Sequence, residues 1–399
     1  MKKLFSTIIC CLICSTAFMQ VKPEWQDETI PFVGKEYPRT AFMTYSDVNK
    51  ARSNDFNTST DYKSLNGKWK FNWVSSYKKR PVNFYKTNFD DSTWEEIDVP
   101  ANWEVNGYGN ALYTNHPYEF CPRNPQPPLL PEENPVGSYR KYIEIPEQWN
   151  GKEIFLHIGA VKSGCYLYVN GTKVGYSEDS KDAVEYNITR YLKPGRNLIA
   201  LEVYRWSTGS YLECQDFWRI SGIERDVYLF AQLPLHLRDF SIRQDLDSTY
   251  KNGLFGLDLF MENTNPRQPG QVTVFYQLEN TSGTRVAEGT QTIKIDSATT
   301  VHFEAKIPQV APWTAETPNL YQLFIRIEQP GKTTEVIPFR VGFRKLEIRG
   351  NQFLVNGRAV LIKGVNYHEH DEHTGHVLSE AHMRKDFENM KRHNINAIR

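Results

Sequence analysis

From about Glu24 to Leu233 the chain is written in short stretches that alternate apolar and polar residues, and this period of two constrains the fold more than any other feature. It suits half-buried antiparallel strands and does not suit helices. Ile154, Leu156 and Ile158 fall on one strand face. Cys165, Leu167 and Val169 fall on another and run into Asn170-Gly171, a pair that tolerates the positive φ angles of a tight hairpin turn. Leu201 and Val203 resume the alternation after Pro194-Gly195. Many short strands with no helical period between them predict a β-sandwich of jelly-roll type over residues 21–233. The segment Cys121 to Pro135 carries six prolines, which bars it from a central strand and suits a stiff rim or contact surface.

A second β-rich unit is predicted over residues 234–345. Val272, Val274, Tyr276 and Leu278 alternate, as do Tyr321, Leu323, Ile325 and Ile327, and the length suits an immunoglobulin-like sandwich. At Leu346 the pattern changes. Phe353 to Val355, the turn Asn356-Gly357 and Ala359 to Val365 read as a hairpin leading into an apolar strand. Ser379 then caps a predicted helix with Glu380 in its first turn, Met383, Phe387 and Met390 at helical spacing, and Lys391, Arg392 and His393 at its end. Ile395 to Arg399 is strand-like. Strand, helix, strand is one βαβ unit, and residues 346–399 are read as the first such unit of an incomplete (β/α)8 barrel, a fold that needs ~250 residues to close. On this reading the chain is the front part of a longer protein, mostly β.

Composition narrows the partners. With 47 Lys+Arg against 47 Asp+Glu there is no electrostatic case for nucleic acid or an anionic membrane. Lys2 and Lys3 precede the apolar run Leu4 to Phe18, with small residues at Ser15 and Ala17, so residues 1–20 read as a secretory signal peptide and the expected location is periplasmic or extracellular. The run is shorter than the ~20 residues of a membrane span. Ile13 and Ile9, before Cys14 and Cys10, are not the small residues a lipid-acceptor cysteine follows. The cysteines left beyond this segment, Cys121, Cys165 and Cys214, form neither a disulfide framework nor a zinc ribbon.

Three places carry candidate chemistry. Asn102 and Trp103, with Tyr113-Thr114-Asn115 following, put an amide and aromatics at a strand end, which suits either a sugar site or a loop amide beside a core Trp. Arg205 to Val227 is dense in Trp, Arg and carboxylates. There Asp216 projects into a ligand site, or Asp226 pairs with an arginine in a structural network. His368 to His373 form an acidic-histidine cluster just after the first expected barrel strand, at the end where barrel active sites are built. Its spacing is not that of a helix-borne zinc site. No phosphate-loop, dinucleotide or serine-hydrolase motif is present in the sequence.

At these residues the chain resembles the glycoside hydrolase family 2 β-galactosidases. The motifs are SLNGKWKF from Ser64, VPANWEVNGYG from Val99, YTNHPY from Tyr113, ENPVGSYR from Glu133, GYSEDSK from Gly175, the Arg205 to Val227 stretch, PWTAETPNLY from Pro312 and LIKGVNYHEH from Leu361. The resemblance implies removal of terminal β-galactose from oligosaccharides or glycoconjugates, with a jelly-roll sugar-binding domain, an immunoglobulin-like domain and a barrel. It implies that Asn102 reaches the substrate, that Asp216 contacts galactose and helps hold sodium, and that His368 bonds sugar hydroxyls. Two glutamates would perform retaining hydrolysis. They and the magnesium ligands are expected in later barrel strands, and no glutamate here matches either, so this chain alone is expected to be inactive. Thr208 and Cys214 replace aspartates, and Tyr367 a basic residue, which bears on fine specificity. The alternatives are a β-glucuronidase or β-mannosidase of the same family, or a noncatalytic carbohydrate-binding module.

Overall fold

The computed structural model describes residues 22–399. The expected signal peptide lies outside these residues. The chain is mostly β, and its first sandwich packs a seven-stranded sheet on a four-stranded one. The larger sheet runs Phe32–Val33, Thr172–Ser177, Gly164–Val169, Arg196–Tyr204, Val136–Glu144, Gly67–Val74, Glu95–Val99, and the smaller runs Val184–Asn187, Glu153–Ile158, Val227–Gln232, Tyr62–Ser64.

The alternation explains the packing. Ile154, Leu156 and Ile158 from the small sheet meet Cys165, Leu167, Val169, Leu201 and Val203 from the large one in a single core. Asn170 and Gly171 take φ of 51° and 90°, and the hairpin they close pairs Gly164–Val169 with Thr172–Ser177. Phe155 points the other way. With Tyr228 and Phe230 it packs on Tyr45, Phe324 and Val336, joining the first sandwich to the second.

The second sandwich faces Leu235–Leu246, Gly253–Asn263 and Ala298–Ile307 against Arg285–Ile295, Gly270–Glu279, Tyr321–Glu328 and Glu335–Val341. Val272, Val274, Tyr276, Leu278, Tyr321, Leu323, Ile325 and Ile327 all enter its core, as their spacing predicts.

The last segment holds an antiparallel meander, Leu346–Arg349, Gln352–Val355 and Arg358–Ala359. Beyond it Gly364–Val365 pairs in parallel with Ala397–Ile398, and helix Glu380–Arg392 connects them. Ser379 caps the helix by accepting the His382 N–H at 3.2 Å. The apolar strand expected over Ala359 to Val365 is paired only at its two ends. Between them Leu361 and Ile362 are exposed.

Candidate functional site

A three-stranded sheet forms the floor of the site: Ala101–Asn102, Gly222–Ile223 and Val161–Lys162. Asn102 and Lys162 both lie opposite Gly222, one on each side. Gly222 has φ of 121°, and a Cβ there would stand 2.4 Å from the Ala101 carbonyl, so only glycine lets the strands approach.

Asn102 is completely buried. Its Nδ2 donates to the Ser221 carbonyl at 3.1 Å and to Glu224 Oε1 at 3.2 Å, and its Oδ1 accepts the His376 backbone N–H at 2.8 Å. Its side chain therefore ties the first sandwich to the loop Asp371 to His376 of the barrel segment. Trp103 is a core residue.

Glu224 is the centre of this junction. It accepts from Asn102, from His376 Nδ1 at 2.7 Å and from the Lys181 ammonium. Burial alone would raise its pKa, but the His376 hydrogen bond and the Lys181 charge bring it down to about 2. Burial lowers the pKa of His376, against the pull of Glu224. Since Lys181 already balances the carboxylate, His376 serves as a neutral Nδ1–H donor, which leaves Nε2 a bare acceptor. That Nε2 is buried without a hydrogen-bond partner among the described residues.

Above the junction lies a cleft of about 240 Å³, lined by Lys162, Glu213, Phe217, His368, Glu369 and His376 among others. Phe217 stands on the strand Phe217–Arg219, which pairs with Leu112–Thr114. Its ring lies nearly parallel to His368 (5.6 Å, 11°) and to His376 (5.2 Å, 17°). Lys162 Nζ sits 4.9 Å from the ring centroid. Glu213 accepts from Ser180 N and Oγ at 2.7 and 2.5 Å, and burial pushes its carboxyl up.

The three residues singled out in the sequence thus occupy different positions. His368 lines the cleft and is exposed to solvent. Asp216 alternates away from it, exposed, and accepts from the Tyr113 hydroxyl at 3.0 Å. Asn102 lies beneath, with both ends of its amide engaged by protein. Around Asp216 the described residues gather no group of three or more metal-ligating side chains. Asp226 accepts from Asn66 at 2.8 Å instead of pairing with an arginine, while Arg205 and Arg219 pair with Glu104 and Glu119.

Comparison with known proteins follows the same division. Three models of one family match in succession: the glycosyl hydrolases family 2 sugar binding domain over 62–234, glycosyl hydrolases family 2 over 235–344, and the family 2 TIM barrel domain over 346–399. The chain belongs to glycoside hydrolase family 2. Among curated relatives, the β-galactosidase of Priestia megaterium is 36% identical over 384 residues, covering 94% of this chain and 37% of that protein. The β-galactosidase of Streptococcus thermophilus is 38% identical over 338 residues, covering 84% and 32%. The chain spans about a third of the length of these relatives. Among solved structures, β-glucuronidase 2 of Bacteroides uniformis superposes with a TM-score of 0.71 at 23% identity, covering 84% of this chain and 39% of that one. A β-glycosidase from Bacteroides vulgatus gives 0.68 at 23% identity, covering 85% and 41%. At these identities the likeness is one of fold.

The three residues read from the resemblance as bearing on fine specificity have local partners. Thr208 Oγ1 donates to Glu178 at 2.6 Å, the Cys214 sulfur takes the Tyr118 N–H at 2.7 Å, and the Tyr367 hydroxyl donates to Asp386 at 2.6 Å. Sequence reasoning missed Lys162, Glu224 and His376. His376 stands three residues past the cluster that drew attention, and Glu224 lies inside the stretch that did, but neither has a spacing that marks it.

Proposed function

We propose that this chain is the sugar-positioning portion of a retaining β-galactosidase that removes terminal non-reducing β-D-galactose from oligosaccharides or glycoconjugates. The observation that carries the reading is His368 set on Phe217 beside a cleft in a chain whose curated relatives at 36% and 38% identity are β-galactosidases. An imidazole can bond sugar hydroxyls, and the Trp218 ring, only partly buried on the same strand, offers an apolar face to a pyranose. Asp216 faces away from this cleft and would meet a sugar only from its own exposed side, where the Tyr113 hydroxyl already takes one of its oxygens. The β-galactosidase names of those relatives favour galactoside over glucuronide or mannoside.

Of the glutamates near the cleft, the exposed Glu369 has no second free carboxylate beside it among the described residues, and the other two are committed to structure. Glu224 is held ionised by Lys181 and His376, and both oxygens of Glu213 take hydrogen bonds from Ser180. Retaining hydrolysis needs a nucleophile and an acid/base ~5 Å apart, and neither residue has the freedom those roles require. We place that pair, and the magnesium ligands, in further barrel strands of the complete enzyme. We also propose export to the periplasm or beyond, from the leader-like first twenty residues.

The test is nitrophenyl β-galactoside hydrolysis by the purified chain with magnesium and sodium present, beside a full-length relative as control. The expected result is turnover by the relative and none by this chain. Turnover by the chain would place a working carboxylate pair within it. Nitrophenyl glucuronide and mannoside assayed on the complete enzyme separate the substrate classes.

A further inference from the structure

We infer that the cleft beside Phe217 receives an oxyanion carried on a sugar, a carboxylate or a sulfate, with the Lys162 ammonium as its counter-ion. This rests on the carbohydrate reading above and adds a charge requirement to it.

The argument is an accounting of charge. Of the cations lining the cleft, Lys181 is paired with Glu224, and Arg225 donates to the Lys181 carbonyl at 3.0 Å from an exposed position. Of the carboxylates, Glu213 is bonded to Ser180, lies beyond ion-pair distance of Lys162 and is pushed toward its neutral form by burial, and Glu369 is exposed. Lys162 remains. It is 7% exposed, its Nζ lies over the Phe217 ring, and among the described residues it has neither an ion-pair partner nor a hydrogen-bond acceptor. Burial, with the Lys181 charge, lowers its pKa against the weaker pulls of Glu224, Glu119 and Glu213, none of them within ion-pair distance. An ammonium buried without a partner is costly, and an aromatic face compensates only part of that cost. A ligand oxyanion in the cleft supplies the missing acceptor.

Size points to a sugar rather than a free ion: the cleft, at about 240 Å³, exceeds the volume of a few waters, each ~30 Å³.

The test is calorimetric titration of the full chain with galacturonate, galactose 6-sulfate, galactose and sodium sulfate, repeated on Lys162→Met. The expected result is that both acidic sugars bind more tightly than galactose, and that Lys162→Met weakens them about tenfold or more, since a charged hydrogen bond is lost. Galactose binding as well as the acidic sugars, with Lys162→Met indifferent, overturns the oxyanion site and leaves the carbohydrate reading standing. Sulfate binding without the acidic sugars reduces the cleft to an ion site and overturns the inference. Binding of none of the four overturns it and tells against the carbohydrate reading at this cleft as well. Lys162→Met should melt no lower than the parent, because it removes an unpaired buried charge. If that variant is unfolded, Lys162→Gln and the parent's preference for acidic over neutral sugar decide the matter.

Discussion

At the scale of single residues the junction of Asn102, Glu224 and His376 does the most to fix the site. Replacing Asn102 by Ala leaves the His376 N–H without its acceptor and Glu224 short of a donor in a buried place. The expected cost is about 2–4 kcal/mol in a urea melt. Glu224→Gln should cost about 1–3 kcal/mol, because the buried carboxylate's hydrogen bonds with His376 and Asn102 are disturbed, while the half-exposed Lys181 stays solvated. Glu224 also sets an acid limit. Its folded pKa of about 2 lies below the ordinary value of 4.5, so the stability it contributes is complete above 4.5 and is lost as pH falls toward 2. Melts from pH 5 to 2 should lose less stability in Glu224→Gln than in the parent. The sequence marked Asn102 as an amide beside a tryptophan at a strand end. It could not reveal that the partners stand 122 and 274 residues away, since spacing carries information only within one element.

At the scale of elements, local pattern was read well wherever local physics decides. The helix from Ser379 followed from cap and periodicity, and the Asn170-Gly171 hairpin from its turn. The apolar run Ala359 to Val365 is a strand only at its ends, because such a run becomes a strand only where a neighbour supplies hydrogen bonds. Two elements carry predictions. Gly375 has φ of 68°, and a Cβ there would lie 2.5 Å from Asn102 Oδ1. Gly375→Ala should therefore push the barrel loop off the first sandwich at a cost of about 2–4 kcal/mol, seen as faster amide exchange at His376. On the strand Glu335–Val341, burial, reinforced by the nearby Asp61 charge, raises Glu335 to about 8. Below 4.5 this group costs nothing, and from 4.5 to 8 the folded chain holds a proton that the unfolded chain has released, so stability falls as pH rises. Glu335→Gln should be the more stable protein at pH 8, by roughly 2–4 kcal/mol, with the difference gone at pH 4.

At the scale of the whole molecule, the two sandwiches bury their apolar alternations against each other, while the barrel segment does not. Leu361 is 75% exposed and Ile362 60%, and Phe387 and Ile398 are also open to solvent on the neighbouring helix and strand. A parallel strand pair is stable when both its faces and its edges are covered, and here the edges offer unpaired N–H and C=O groups beside apolar side chains. Such a surface draws other chains to it. The purified protein should therefore gain mass with concentration over tens of micromolar in sedimentation, since exposed apolar strand edges associate in that range. Leu361→Lys with Ile362→Lys should hold it monomeric at an unchanged melting temperature, because neither side chain contributes to a core. A parent that stays monomeric throughout that range would mean the segment shields these side chains by a rearrangement of its own. If the double variant still associates, the contact lies elsewhere, and the exposed Tyr113 and Leu112 of the ribbon beside Asp216 become the next surface to change.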